Sequence, residues 1–114
     1  MRKRSGGVTQ THYFKQTMVE RAQRNPAIAR ALLGEAATHF LNGEPHTARL
    51  ILRDLVNATI GFEALAAETA KPAKSLYGML SKEGNPTMNN LAAILGVLRT
   101  QMGVDLQART VEVE

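Results

Sequence analysis

Through most of the chain, apolar residues recur at three- and four-residue spacing, the period of an amphipathic helix. Tyr13, Phe14, Met18, Val19 and Ala22 predict a first helix over residues 11–24, ended by Asn25-Pro26. Pro26 suits the first turn of a second helix reaching Phe40 or Leu41, with Ile28, Ala31, Leu32, Ala36 and Phe40 on one face. "NGEP" (residues 42–45) stops it. A third helix over residues 47–59 carries Leu52, Leu55, Val56 and Ile60, with Gly61 as the turn residue beyond it. Two short helices follow, over residues 62–69 and 72–81. The turn "SKEGNPT" then leads into a last helix over residues 88–102, capped by Thr87, with Leu91, Ile94, Leu95 and Leu98 inward.

The end of the chain changes period. Val104, Leu106 and Ala108 alternate with polar residues, then Val111 and Val113 alternate in the other phase. That is the pattern of a strand kinked near Thr110, or of a frayed polar tail. A lone strand leaves backbone groups without partners, so this one would need a second copy or another protein. The prediction is therefore an all-α domain of five to six helices containing a helix-turn-helix, with a short C-terminal β-strand. It divides into a flexible basic arm (residues 1–10), an N-terminal helical segment (11–60), the helix-turn-helix domain (61–102) and the strand-like tail (103–114).

The two short helices point to a helix-turn-helix because a short turn joins them and the second is basic at its start. Leu65 and Ala66 form the inner side of the first, Ala66 small enough for close approach. Leu76 and Leu80, with Met79 beside them, form the inner stripe of the second. Ala73, Lys74, Tyr77 and Gly78 share another face with no large aliphatic residue, and Ser75 and Ser81 flank the seam. Pro72 fits the first helical turn, and the helix start presents free N–H groups suited to a phosphate or a base edge. Lys71 and Lys74 add charge that no carboxylate opposes within that helix.

Composition narrows the function. A 114-residue chain makes one domain, and a formal charge of +4 suits an anionic partner such as nucleic acid or a membrane surface. Without cysteine, neither a disulfide nor a thiolate metal site can form. His12, His39 and His46 are scattered and make no ligand pair, so no metal or other cofactor is expected. No nucleophile elbow, Gly-rich phosphate loop or carboxylate cluster is present, so the chain is not expected to be an enzyme. No apolar run approaches the roughly 20 residues that span a bilayer. "MRKRSGG" lacks the apolar core of a secretory signal, which leaves the cytoplasm as the expected location.

The residues "FEALAAET", "KSLYGML" and above all "GNPTMNNL", within residues 61–98, resemble the Cro/repressor-type helix-turn-helix domain. More closely they resemble HigA-type antitoxins and the addiction module antidote regulators, as does the preceding "LILRDLVNATIGFEAL". The resemblance implies a homodimeric repressor of a palindromic operator, often paired with a ribosome-dependent endoribonuclease toxin of the RelE/HigB class. It implies that Ala73, Lys74, Ser75, Tyr77 and Gly78 face base edges. Lys71, Ser81, Lys82, Asn85 and Thr87 would face phosphates.

Two positions depart from the pattern. Ala70 stands where the turn usually has Gly, so the turn there is either not left-handed or strained. Gly78 stands where relatives often carry a long polar side chain, which would thin base readout. Some roles stay open. Tyr77 can contact DNA or pack across the seam, and Ser75 can read a base or bond a carbonyl. Arg2, Lys3 and Arg4 can enter a minor groove or form a solubilising tail. Dimer contacts can come from the last helix or the tail.

Overall fold

The computed structural model describes residues 18–114, so the expected basic arm and the expected start of the first helix, with Tyr13 and Phe14, lie outside the described residues. The described chain holds six helices and no strand: α1 (residues 18–24), α2 (Pro26–Leu41), α3 (Pro45–Ala58), α4 (Phe62–Thr69), α5 (Ala73–Met79) and α6 (Met88–Met102).

The breaks follow local chemistry. Asn25 closes α1 by donating its N–H to Arg21 O at 3.0 Å, and its side chain caps α2 by accepting from Ala27 N at 3.0 Å. Pro26 occupies the first turn of α2, where no N–H is needed. Gly43, at φ +80°, lets the chain reverse into α3, and Glu44 N–H donates to His39 O at 2.8 Å. Gly61, at φ +81°, both ends α3 and opens α4. Its N–H donates to Val56 O at 2.7 Å, and its carbonyl accepts from Leu65 N at 3.0 Å.

Leu33, Leu52, Leu55, Val56, Leu65, Leu76, Leu80, Ile94 and Leu98 are fully buried and belong to one cluster. The cluster draws on α2 through α6 and on Ala22 of α1, so it runs across residue 60 without a break. Burying each Leu stabilises the fold by roughly 1.5–3 kcal/mol before ordering entropy is counted. The α2–α3 hairpin packs on α6 and α4 and shares its interior with the helix-turn-helix.

Several expectations need correcting. On α2 the buried residues are Ala29, Leu33 and Ala36; Ile28, Leu32 and Phe40 are half-buried and Ala31 is exposed. Ala and Leu surround the first half of that helix, so several stripes looked equally apolar. Helix α3 begins earlier than expected, at Pro45. Helix α5 is shorter at both ends: Pro72, at φ −63° and ψ 140°, is its N-cap and not its first helical residue. In that place its carbonyl accepts from Leu76 N at 3.1 Å.

The tail leaves α6 through Gly103, left-handed at φ +66°, with Val104 N–H returning to Arg99 O at 3.1 Å. Val104 and Leu106 pack half-buried against the core. Residues 107–114 are exposed, and the backbone of residues 105–114 bonds to no other described backbone group. The expected C-terminal strand is not seen among the described residues, and no described segment runs as a strand beside it.

Candidate nucleic-acid interface

Three residues, Ala70 to Pro72, separate α4 from α5. Ala70 lies at φ 56°, ψ 40°, the left-handed region, and caps α4 by donating to Ala66 O. Of the two alternatives raised by this non-glycine residue, the turn takes the strained one; left-handed geometry costs an L-residue roughly 1–2 kcal/mol. Lys71, half-buried, also donates its N–H to Ala66 O, at 3.2 Å.

Helix α5 sorts its side chains cleanly. Leu76, and Leu80 just past the helix end, are fully buried, and Met79 packs at the rim of the same cluster. Lys74, Ser75, Tyr77 and Gly78 are exposed, whereas Ala73 is half-buried at the edge of the seam. The Tyr77 ring stands edge-on to Phe62 of α4, with centroids 5.2 Å apart and planes at 68°, and Tyr77 still keeps 50% exposure. The ring therefore packs across the seam while half of the residue stays open to solvent. A Cβ added at Gly78 would meet no atom within 4 Å beyond its chain neighbours and the helix's own backbone.

The loop after α5 is held from several sides. Ser81 Oγ donates to Gly78 O at 2.7 Å, so its proton is engaged within the protein. Gly84 N–H donates to Ser81 O at 3.0 Å, and Gly84 presses against the end of α5 so closely that a Cβ there would sit 2.6 Å from Gly78 O. From α3, Arg49 donates through Nε to Ser81 O and through Nη2 to Lys82 O, both at 3.3 Å. Thr87 caps α6 by accepting from Asn90 N at 3.1 Å, which leaves its hydroxyl proton free to donate. Lys82, Asn85 and Thr87 are exposed.

Lys71, Lys74 and Lys82 form no ion pair among the described residues; the pairs present are His39–Glu44 and Arg99–Asp105. The three charges bracket α5, Lys71 and Lys74 at its start and Lys82 beyond its end. The arrangement gathers unpaired cations, exposed polar side chains and a half-exposed Tyr around one helix backed by a buried leucine seam. Arg49, Gly84 and Phe62 were not singled out by the sequence. Only their distant contacts give them a part here, and no local pattern marks such contacts.

No group of three or more His, Asp or Glu among the described residues is placed to hold a metal ion. No described helix is long and apolar enough to cross a membrane. Comparison of the chain with protein-family models, curated proteins and solved structures gave no match.

Proposed function

We propose that this protein is a sequence-specific DNA-binding repressor, and that α5 is the helix it lays in the major groove. The observation that carries the reading is the outward face of α5. Lys74, Ser75 and Tyr77 are exposed there with no large aliphatic side chain among them, while Leu76 and Leu80 are fully buried behind. Lys74 and Ser75 are the groups for base edges, with Tyr77 and Gly78 along the groove wall and Ala73 at its margin. Lys71, Lys82, Asn85 and Thr87 serve as phosphate contacts on either side. The start of α6 adds N–H groups beside Thr87, a setting that favours anions.

The protein works as a homodimer on a palindromic operator, with recognition helices about 34 Å apart. The backbone of residues 105–114, which bonds to no other described backbone group, supports pairing of two tails across the dimer axis. Its resemblance to HigA-type antitoxins supports the further reading that it is the antitoxin of a toxin–antitoxin pair, neutralising a RelE/HigB-like endoribonuclease and repressing its own operon. It is a binder, not a catalyst. A second reading, a protein-interaction module on a helix-turn-helix scaffold, draws on another observation: Leu41, Val111 and Val113 are 70%, 68% and 94% exposed along a groove between α2 and the tail.

The test is selection from a random duplex-DNA pool with the parent and with the Lys74→Ala, Ser75→Ala double variant. The expected outcome is an enriched palindrome with half-sites one turn apart, lost in the double variant. Binding should be steeply salt-dependent: about six neutralised phosphates cost on the order of 10³-fold in affinity between about 50 and 200 mM salt. If the parent enriches nothing even at low salt, the interaction-module reading replaces this one.

A further inference from the structure

Arg49 lies outside the helix-turn-helix, on α3, yet its guanidinium reaches the loop that leaves α5, 32 and 33 residues along the chain. Two different nitrogens engage two consecutive carbonyls, Nε on Ser81 O and Nη2 on Lys82 O. Arg49 is half-buried and has no carboxylate partner among the described residues. Its role is therefore not that of an ordinary surface ion pair. The Ser81 carbonyl is shared, since it also accepts from Gly84 N–H, so Arg49 fastens the same point that closes the loop.

We infer that Arg49 is a positioning residue for DNA binding: it fixes the loop carrying Lys82, Asn85 and Thr87 against the end of α5, and thereby makes the α2–α3 hairpin part of the DNA-binding unit. The inference rests on the DNA-binding reading above. Its physical basis is the planar fork of Arg, whose two nitrogens reach two carbonyls in one fixed geometry that the single nitrogen of Lys does not reproduce. The carbonyls beyond the end of a helix are also where a cation is electrostatically favoured. Acting through Lys82, Arg49 need not touch the DNA.

A double-mutant cycle separates the possibilities, using the duplex that the parent enriches and a scrambled duplex as control. Arg49→Ala should weaken binding roughly tenfold, the scale of a lost charged hydrogen bond. Arg49→Lys, which keeps the stem and the charge, should fall between and serves as the folded control. Adding Lys82→Ala to Arg49→Ala should cost little more than either change alone, because both remove the same contact. In the free protein, hydrogen exchange at the Gly84 amide should speed up in Arg49→Ala while exchange in the core of α3 stays slow.

Unchanged affinity in Arg49→Ala, with the parent binding well, would overturn the inference and leave the DNA-binding reading standing. Fully additive losses would overturn it as well, since Arg49 would then be a phosphate contact in its own right. A parent that binds neither duplex selectively would overturn the DNA-binding reading itself. Gly84 exchange would then report only whether Arg49 holds the loop.

Discussion

Helix α5 is held at its two ends by different means. Before it, the chain turns on backbone geometry alone: Ala70 sits left-handed, Pro72 holds an extended ψ, and no side chain caps the helix. After it, the chain is fastened by tertiary contacts: Arg49 from α3, Ser81 folded back on Gly78, and Gly84 pressed against the helix end. A turn of the first kind carries local strain that one substitution can relieve. A turn of the second kind depends on a fit between distant parts, where one added atom does damage.

Gly84→Ala should break that contrast most severely. Its new Cβ would lie inside van der Waals distance of the Met79 carbonyl and 2.6 Å from that of Gly78, and backbone oxygens cannot rotate away as a side chain would. Overpacking of this kind typically costs about 1–3 kcal/mol, and the upper part of that range is expected here. Urea denaturation of parent and variant measures it. An unchanged midpoint would mean that the loop swings clear of α5 at no cost, and the rear turn would then be no tighter than the front one.

The two ends also differ in how far the sequence betrayed them. The bounds of α4 and α6 were legible because their signals are local: Gly61 before Phe62, Thr87 before Met88, and Leu65 or Ile94 and Leu98 at helical spacing. The burial of Leu76 and Leu80 followed from the same period. Left-handed geometry at Ala70 was visible only as one of two alternatives, since an Ala in place of Gly fits either an altered turn or a strained one. Arg49 gave no sign at all. A basic residue on the polar face of α3 looks alike whether it meets water or a carbonyl 32 residues away. The face of α2 was misassigned for the opposite reason, an excess of apolar residues that left Ala31 exposed beside buried Ala29 and Leu33.

At the front turn, Ala70→Gly should act in the other direction. Glycine adopts φ near 56° without the Cβ penalty, though it adds entropy to the unfolded chain. The net expectation is a gain of about 1 kcal/mol, read as a higher urea midpoint with an unchanged slope. Affinity for the selected duplex should hold, since Ala70 precedes the proposed recognition face. A loss of stability would show that the left-handed turn is not strained, and the contrast with the rear turn would have to be drawn on other grounds.

The smallest effect on stability, and the sharpest on the proposed interface, is expected at Gly78. Nothing in the protein requires a glycine there: φ is not positive, and an added Cβ meets open space. Gly78→Ala should therefore stabilise α5 by about 0.5 kcal/mol through helix propensity. Binding supplies the other half of the experiment. If the groove wall presses on α5 at this point, the same substitution that raises the urea midpoint lowers affinity for the selected duplex. Opposite signs in the two measurements would identify Gly78 as a position kept bare for a partner, because the added Cβ meets nothing within the protein that would couple stability to binding. Affinity that holds while stability rises would mean that DNA keeps its distance from this turn, leaving readout to Lys74, Ser75 and Tyr77.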